Sequence, residues 1–387
     1  SGLLDGAIDA YRRAYRLVAD DPVAQGEMLL KRALARWRAA QYTTALSDTT
    51  RARRLVESVG SKEAAGLAAR ASAFSAHIKQ RQEKPQEALR RANAALEEAI
   101  AVGELSAQAR AYSVVGWAHL VMGMEGAQQL TEEAFNLYEE LDDLVGQQQM
   151  SNNLGVIAYF DGNWSAALEY YERSLEGSRL LGNVVDVGTA EANIGEVLVS
   201  QFRLDEAETH LRRASRILRS SDEAFMATFA ELQLGRLLTE RGDLDEAEEM
   251  LQRVRSEGLE LGFSTSVFEA SLYLADCTVR KGDPRTALQL LDDAVGEAGD
   301  EASMYGATEA RIRVSALTAM GRQDEALELA EEGLMLSRAQ ELDYDTALLL
   351  MLKAKLLRPL NQAACSECEL EASAIFTQYG VQYQTSG

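Results

Sequence analysis

Asn153 and Asn193 stand 40 residues apart, each followed by an apolar residue and a glycine, Leu154-Gly155 and Ile194-Gly195. A primary amide carries donors and an acceptor together, so such a pair can hold the backbone of an extended peptide without regard to its side chains. Asn152, Tyr159 and Phe160 lie beside the first of them, and Tyr112 and Trp117 precede them by about one such interval. Aromatic side chains of this kind suit either an interaction hot spot or the core between helices. Other chemistry has less to work with. His77, His119 and His210 are scattered, without the spacing of a triad or a metal site, and Cys365-Ser-Glu-Cys368 is one CxxC pair with no second pair, no nearby histidine and no preceding strand. The sequence nominates no catalytic group, no metal site and no cofactor.

The asparagines are positioned by a period that runs the length of the chain. Turn signals such as GNWSAALEYY, GDLDEAEEML, GDPRTALQLL and GRQDEALELA share an alanine, which gives the series Ala7, Ala45, Ala88, Ala127, Ala167, Ala207, Ala247, Ala287, Ala326 and Ala363, with steps of 37 to 43 residues. Seven residues after each anchor stand Ala14, Ala52, Ala95, Ala134, Ser174, Ala214, Val254, Ala294, Gly333 and Leu370, mostly small. Small residues two helical turns apart let a neighbouring helix approach closely. Each unit reads as helix, tight turn, helix. In the clearest, residues 147–160 have helical apolar spacing, Asp161-Gly162-Asn163 breaks the helix, Ser165 is the expected N-cap, and the second helix stops at Gly182. Pro22, Pro85, Pro284 and Pro359 all fall in predicted turns, and the glycine turns belong to the period, so none marks a phosphate loop. Fourteen residues before the anchors, Lys31, Phe74, Ser113, Asn153, Asn193, Gln233, Tyr273 and Ile312 are predicted to face one groove.

Composition agrees with a repeat array. A chain of 387 residues exceeds what one core serves, and 47% hydrophobic residues with only four prolines predict an all-helical protein. The absence of an 18-residue apolar run and of a signal peptide, together with three cysteines, leads to the expectation of a soluble, cytoplasmic protein that does not engage a membrane. The net charge of -22 is unevenly placed: residues 1–100 carry 17 Lys/Arg against 12 Asp/Glu, and the remainder 22 against 49. A surface so acidic repels phosphate backbones, which excludes direct nucleic-acid binding for most of the chain. Lys31, Arg38, Arg70, His77 and Arg81 in the first units could instead attract an acidic segment or a phosphate, while Glu196, Arg236 and Asp276 further on mix both signs.

The Leu-Gly pairs (Leu154-Gly155, Ile194-Gly195, Leu234-Gly235), the turn glycines, the anchor alanine and the small residue seven later together resemble the tetratricopeptide repeats. The resemblance implies an all-α fold, a right-handed α-solenoid of stacked antiparallel helix pairs, as a single array. Its units would be a half repeat at 1–20, helix pairs at 21–60, 61–103, 104–145, 146–182, 183–222, 223–262, 263–300 and 301–340, and a capping repeat at 341–387. Units near 40 residues, longer than the usual repeat, resemble the C-terminal arrays of MalT-like activators and of bacterial signalling ATPases and nucleotide cyclases. Residues 3–19 look like a second helix without its first, which implies a segment of a larger protein. In peptide-binding members of the family an asparagine at the groove position holds peptide backbone, which carries over to Asn153 and Asn193. A non-enzymatic scaffold is therefore expected, binding a peptide, a protein domain or another domain of its parent chain through Asn152, Asn153, Asn193, Tyr159, Trp117, Arg236, Lys31, Arg70 and Arg81. The alternative is a sensor whose small-molecule effector controls an ATPase, cyclase or DNA-binding domain.

Overall fold

Where each helix begins and ends follows from local chemistry. Asp21 accepts hydrogen bonds at 3.0 Å from the Val23 and Ala24 amides and so caps α2 (Pro22–Arg38). Pro22, Pro85 and Pro284 each occupy a first turn, where a missing N–H costs nothing. Gly103, Gly182, Gly242 and Gly262 end their helices in the left-handed conformation, for which a side chain would be a penalty. The N-cap of α9 (Trp164–Leu181) is Asn163, whose side chain accepts from the Ala166 amide, and not Ser165, which lies inside the first turn.

The computed structural model describes residues 2–382, the side chains of 300–302 excepted, so the last five residues of the predicted final repeat lie outside it. Every element in the described residues is helical. They fall into two units, 1–157 and 158–387, divided within α8 (Leu144–Phe160). In the first unit, α1 (Gly2–Leu17) packs on α2, which is followed by α3 (Tyr42–Val56), α4 (Lys62–Gln80), α5 (Pro85–Val102), α6 (Leu105–Val121) and α7 (Ala127–Glu140). The second continues through α9, α10 (Val184–Ser200), α11 (Leu204–Ser220), α12 (Ala224–Arg241), α13 (Leu244–Leu261), α14 (Ser264–Arg280), α15 (Pro284–Ala298), a 3-10 stretch (Gly299–Tyr305), α16 (Gly306–Ala319), α17 (Gln323–Ala339), α18 (Asp343–Leu357) and α19 (Gln362–Gln378). Within each unit the first helix of every pair also packs on the first helix of the next, α2 on α4 on α6 and α10 on α12 through α18, forming an inner layer.

The seam inside each pair is built from small residues. Ala45, Ala88, Ala167, Ala207, Ala247, Ala287 and Ala326 are all fully buried. In the last pair the register differs from that read off the sequence: Ala363 and Leu370 are exposed, and Cys365 and Ala372 fill the seam. Cys365 thus serves as a small apolar residue one period after Ala326, which accounts for the CxxC pair without redox or metal chemistry. On the inner helices glycine completes the fit, since a Cβ on Gly195 or Gly235 would meet Leu211 at 2.5 Å or Leu251 at 2.6 Å.

Buried charge fixes the outer face of the second unit. Glu191 is fully buried and accepts from Arg179 (3.0 Å), Arg213 (2.9 Å) and His210 (2.6 Å); one period on, Glu231 accepts from Arg219 and Ser215. Burial opposes ionisation of both carboxyls, but these hydrogen bonds win and hold them below the ordinary range.

The second unit also closes on itself. The Trp164 ring meets Tyr379 edge-on at 4.8 Å and Tyr344 at 5.0 Å; Gln201 donates to the Tyr379 carbonyl at 3.1 Å and accepts from the Gln382 amide at 2.9 Å. Gly162, at φ +74°, leaves room for Tyr379, whose hydroxyl a Cβ there would meet at 2.4 Å. The end of the chain's last described helix is thereby fastened to the start of the unit.

Two consequences are measurable. Leu251→Ala, at a fully buried position, should cost roughly 2–5 kcal/mol in denaturant unfolding, whereas Leu259→Ala, at a position 57% exposed, should change stability by less than about 1 kcal/mol. Equal effects would contradict the packing. Trp164→Ala should speed hydrogen exchange at the Gln382 amide far more than at the amides of α13, because only the former depends on the closure; uniform acceleration would contradict it.

Candidate functional site

The inner helices of the second unit place one stripe of residues toward a common interior. Three- and four-residue steps bring Glu269, Tyr273, Asp276 and Arg280 onto one face of α14, and the same face of α12 carries Arg236 and Glu240. Glu196 comes from α10, Tyr159 from the end of α8, Tyr305 from the 3-10 stretch, Arg311 from α16, and Tyr344 with Asp345 from α18. Protein surrounds these groups, yet most keep some water-accessible surface, as in a narrow lumen.

Electrostatics link them into one cluster. Arg236 acts on Glu196, Glu269, Tyr159, Tyr273 and Tyr344, the last reached from three repeats further along because the unit curves back. Its own contacts are weak: Nη1 donates to the Ser200 hydroxyl at 3.3 Å and the guanidinium lies 5.8 Å from the Tyr273 ring. Among the described residues no carboxylate stands within 4 Å of Arg236, and no cation within 4 Å of Glu196 or Glu269. Glu196 accepts from Gln233 Nε2 at 3.4 Å and Glu269 from the Tyr305 hydroxyl at 3.0 Å. Gln233 is 3% exposed, and its carbonyl oxygen has no partner; neither has Arg311 Nε. Further along the stripe the charges do pair, Arg280 with Glu240 at 2.8 Å and Asp276 at 3.5 Å, Arg311 with Asp276 at 3.8 Å.

Enclosure shifts ionisation. The Glu196 carboxyl is pushed up to about 8, first by burial and next by the Glu269 charge, against Arg236 and the Tyr159 hydroxyl. Burial likewise raises Glu269, Asp345, Tyr159 and Tyr273. The arrangement can recognise a ligand by charge and hydrogen bonding from several sides. Among the described residues no group of three His, Cys, Asp or Glu could hold a metal ion, and no helix is long and apolar enough to cross a membrane. A cleft of about 390 Å³ bounded by Gly258, Phe268 and Ala294 contains none of these groups.

The residues nominated from sequence are distributed over both units. Lys31, Arg70, Arg81, Trp117, Asn152 and Asn153 belong to the first, and Tyr159, Asn193 and Arg236 to the second. Only Tyr159 and Arg236 join the cluster. Asn193 is 8% exposed and, like Asn152, already engaged by the protein around it; Asn153 is half-buried. Phe74 and Ile312, in the same register, are core residues at 3% and 0%. Trp117 packs against Ala76, Ala88, Ala92, Val114 and Val115 instead of lining a floor beside Tyr159. Arg70 is paired with Glu27, and Lys31 and Arg81 are exposed. The fourteen-residue offset falls on the edge of the inner face; the positions eleven and seven before the anchor, Glu196, Arg236 and Asp276 with Glu240 and Arg280, point further inward. Their alternating charge at a fixed offset was the available signal.

Because Glu196 binds its proton more tightly in the folded than in the unfolded chain, the stability it contributes is complete below its ordinary value of about 4.5 and is lost as pH rises through about 8. Glu196→Gln should therefore lose less stability than the wild type between about pH 5 and 8, and parallel profiles would show that Glu196 titrates normally.

Tetratricopeptide-repeat profiles match residues 146–220 and 232–256. No curated protein matches the chain by sequence. Among solved structures, a Rap protein complexed with competence and sporulation factor aligns over 92% of this chain and 99% of its own, at 16% identity and TM-score 0.67. A Rap conjugation gene regulator in complex with its Phr* peptide aligns over 80% and 84% at 16% identity and TM-score 0.52. A signal-transduction ATPase with a tetratricopeptide repeat sensor from Pyrococcus horikoshii aligns over 74% of this chain and 43% of its own, at 15% identity and TM-score 0.54. Identities this low speak for the fold alone. The family profiles identify tetratricopeptide repeats at 146–220 and 232–256, and the solved structures share the helix-pair solenoid fold.

Proposed function

We propose that the second unit is a peptide-binding module, holding a short segment of a regulatory peptide or partner protein in the lumen around Tyr159, Glu196, Arg236 and Glu269. The observation that carries this reading is the coexistence, inside one closed unit, of an arginine and two glutamates without ion partners and a buried glutamine carbonyl without a donor. Desolvating charges in the free protein is costly, and a ligand that supplies the opposite charges recovers that cost. A peptide does so well, since it presents amide donors and acceptors along its whole length and ionised groups at chosen positions. The complex of a Rap conjugation gene regulator of similar fold with the Phr* peptide supports the same reading.

In this proposal the chain acts as a scaffold or sensor region of a signalling protein, and ligand occupancy bears on the closure because Trp164, which fastens Tyr379, also stacks on Tyr159 at 5.9 Å. A small effector molecule is the second reading, favoured by the enclosure of the lumen.

Selection of linear hexapeptides from an immobilised random library, followed by calorimetric titration, tests the proposal. Selected peptides should bind Arg236→Gln at least about tenfold more weakly than the wild type, corresponding to a loss of about 1.4 kcal/mol or more. Failure to enrich any peptide, or equal affinity for the variant, would overturn it, and a thermal shift with a metabolite in place of peptides would favour the effector reading.

A further inference from the structure

The first unit carries a separate cluster on its inner helices. Trp37 of α2 lies 5.0 Å from the His77 ring of α4, Phe74 stacks on His77 at 6.1 Å, and Trp37 and Phe74 meet edge-on at 6.4 Å, so the three rings form a triangle. Two arginines cover these rings: Arg81 stands 6.0 Å from the Trp37 centroid, and Arg110 of α6 stands 5.2 Å from that of Phe74.

This cluster is rich in donors and poor in anions. The neighbouring cations have carboxylates, Arg36 with Asp48 at 2.7 Å, Arg70 with Glu27, and Lys79 with Glu87 at 3.3 Å. Among the described residues neither Arg81 nor Arg110 has one; the polar contact of Arg110 is the Tyr138 hydroxyl. Trp37 Nε1 and His77 Nδ1 are both cut off from water without a hydrogen-bond partner. A buried indole N–H left unpaired is costly, and it can only be satisfied by an acceptor. His77 also records the local field: burial, then Arg110 and Arg81, push its imidazole down to about 3, so it stays neutral beside two fixed positive charges. The cluster is still reachable, since Arg81 is exposed and Trp37, His77 and Arg110 are half-buried.

We infer that Trp37, His77, Arg81 and Arg110 form a second binding site, for an acidic protein segment whose carboxylates lie over the two aromatic-backed arginines. A guanidinium held over a ring by cation–π attraction and without a carboxylate of its own still has its N–H donors to offer for bidentate carboxylate contacts. The two cations cover different rings, so neighbouring carboxylates on an extended segment match them better than one small tetrahedral anion does. The Trp37 indole supplies a further donor, and the ring faces accept the methylene stems of glutamate side chains.

The Trp37 indole N–H resonance, assigned by Trp37→Phe, reports on the site directly. Titrated into the ¹⁵N-labelled full chain at constant ionic strength, hexaglutamate should shift it saturably while the Trp164 resonance stays in place, and Arg81→Gln/Arg110→Gln should weaken the response at least about tenfold. Arg81→Gln alone, at an exposed position, keeps the test available if the double variant fails to fold, and should weaken it severalfold. A linear, unsaturable shift, an unchanged response in both variants, or an equal response to inorganic phosphate at matched charge would overturn the inference.

Discussion

One fully buried position in α3, α5 and every outer helix from α9 to α19 holds nothing larger than a methyl or a thiol, and the packing of the pairs follows from that limit. Where Ala167, Ala207, Ala247, Ala287, Ala326 and Cys365 touch the inner helix, the backbones come close enough for Leu211 or Leu251 to settle against a glycine. A larger side chain would have to displace a whole helix, because interiors packed at crystal density leave little room to absorb it. Close approach within each pair, repeated at nearly constant interval, sets how much the inner layer turns per repeat. In the second unit that turning brings Tyr344 of α18 and Tyr379 beyond α19 back to Trp164.

Curvature then determines the chemistry of the interior. The inner helices of an open array would offer their stripe of residues to bulk water, where Glu196, Arg236 and Glu269 would be ordinary solvated charges. Once the array closes, the same side chains face one another across a confined volume, and Glu196 must hold its proton to a pH well above that of a free glutamate. Closure and electrostatics are thus coupled: the aromatic fastening that Trp164 makes is also a neighbour of Tyr159, one wall of the charged lumen.

The period was legible because it is local. Helix pairs, turn glycines and seam alanines recur at fixed offsets, and each follows from a steric rule that acts within a few residues. In the last pair the seam residue lies two positions beyond Ala363, because Cys365 meets the same size limit without being an alanine. Burial of the individual amides is not written in the period: Asn193 and Gln233 are polar and in register, yet both are buried, Asn193 engaged by its neighbours and Gln233 with its carbonyl oxygen unpaired. Closure left no trace in any window of the sequence. The hydrogen bond between Gln201 and the Tyr379 carbonyl joins residues 178 apart, and only the accumulated rotation of five repeats makes them neighbours.

Two units with the same period therefore arrive at opposite interiors. Where α2 contributes Trp37, α4 Phe74 and His77, and α6 Arg110, arginines stand over rings without counter-charge. Where α10, α12 and α14 contribute Glu196, Arg236 and Glu269, acids and an arginine share an enclosed interior without ion pairs, and Glu196 holds its proton. Seam residues cannot differ much between repeats, since every one answers to the same steric limit. Inner-face residues answer to no such limit, and it is there that the chain varies from repeat to repeat. A solenoid of this kind separates the residues that make the scaffold from those that read a ligand, and the unpaired groups on its inner faces mark where reading takes place.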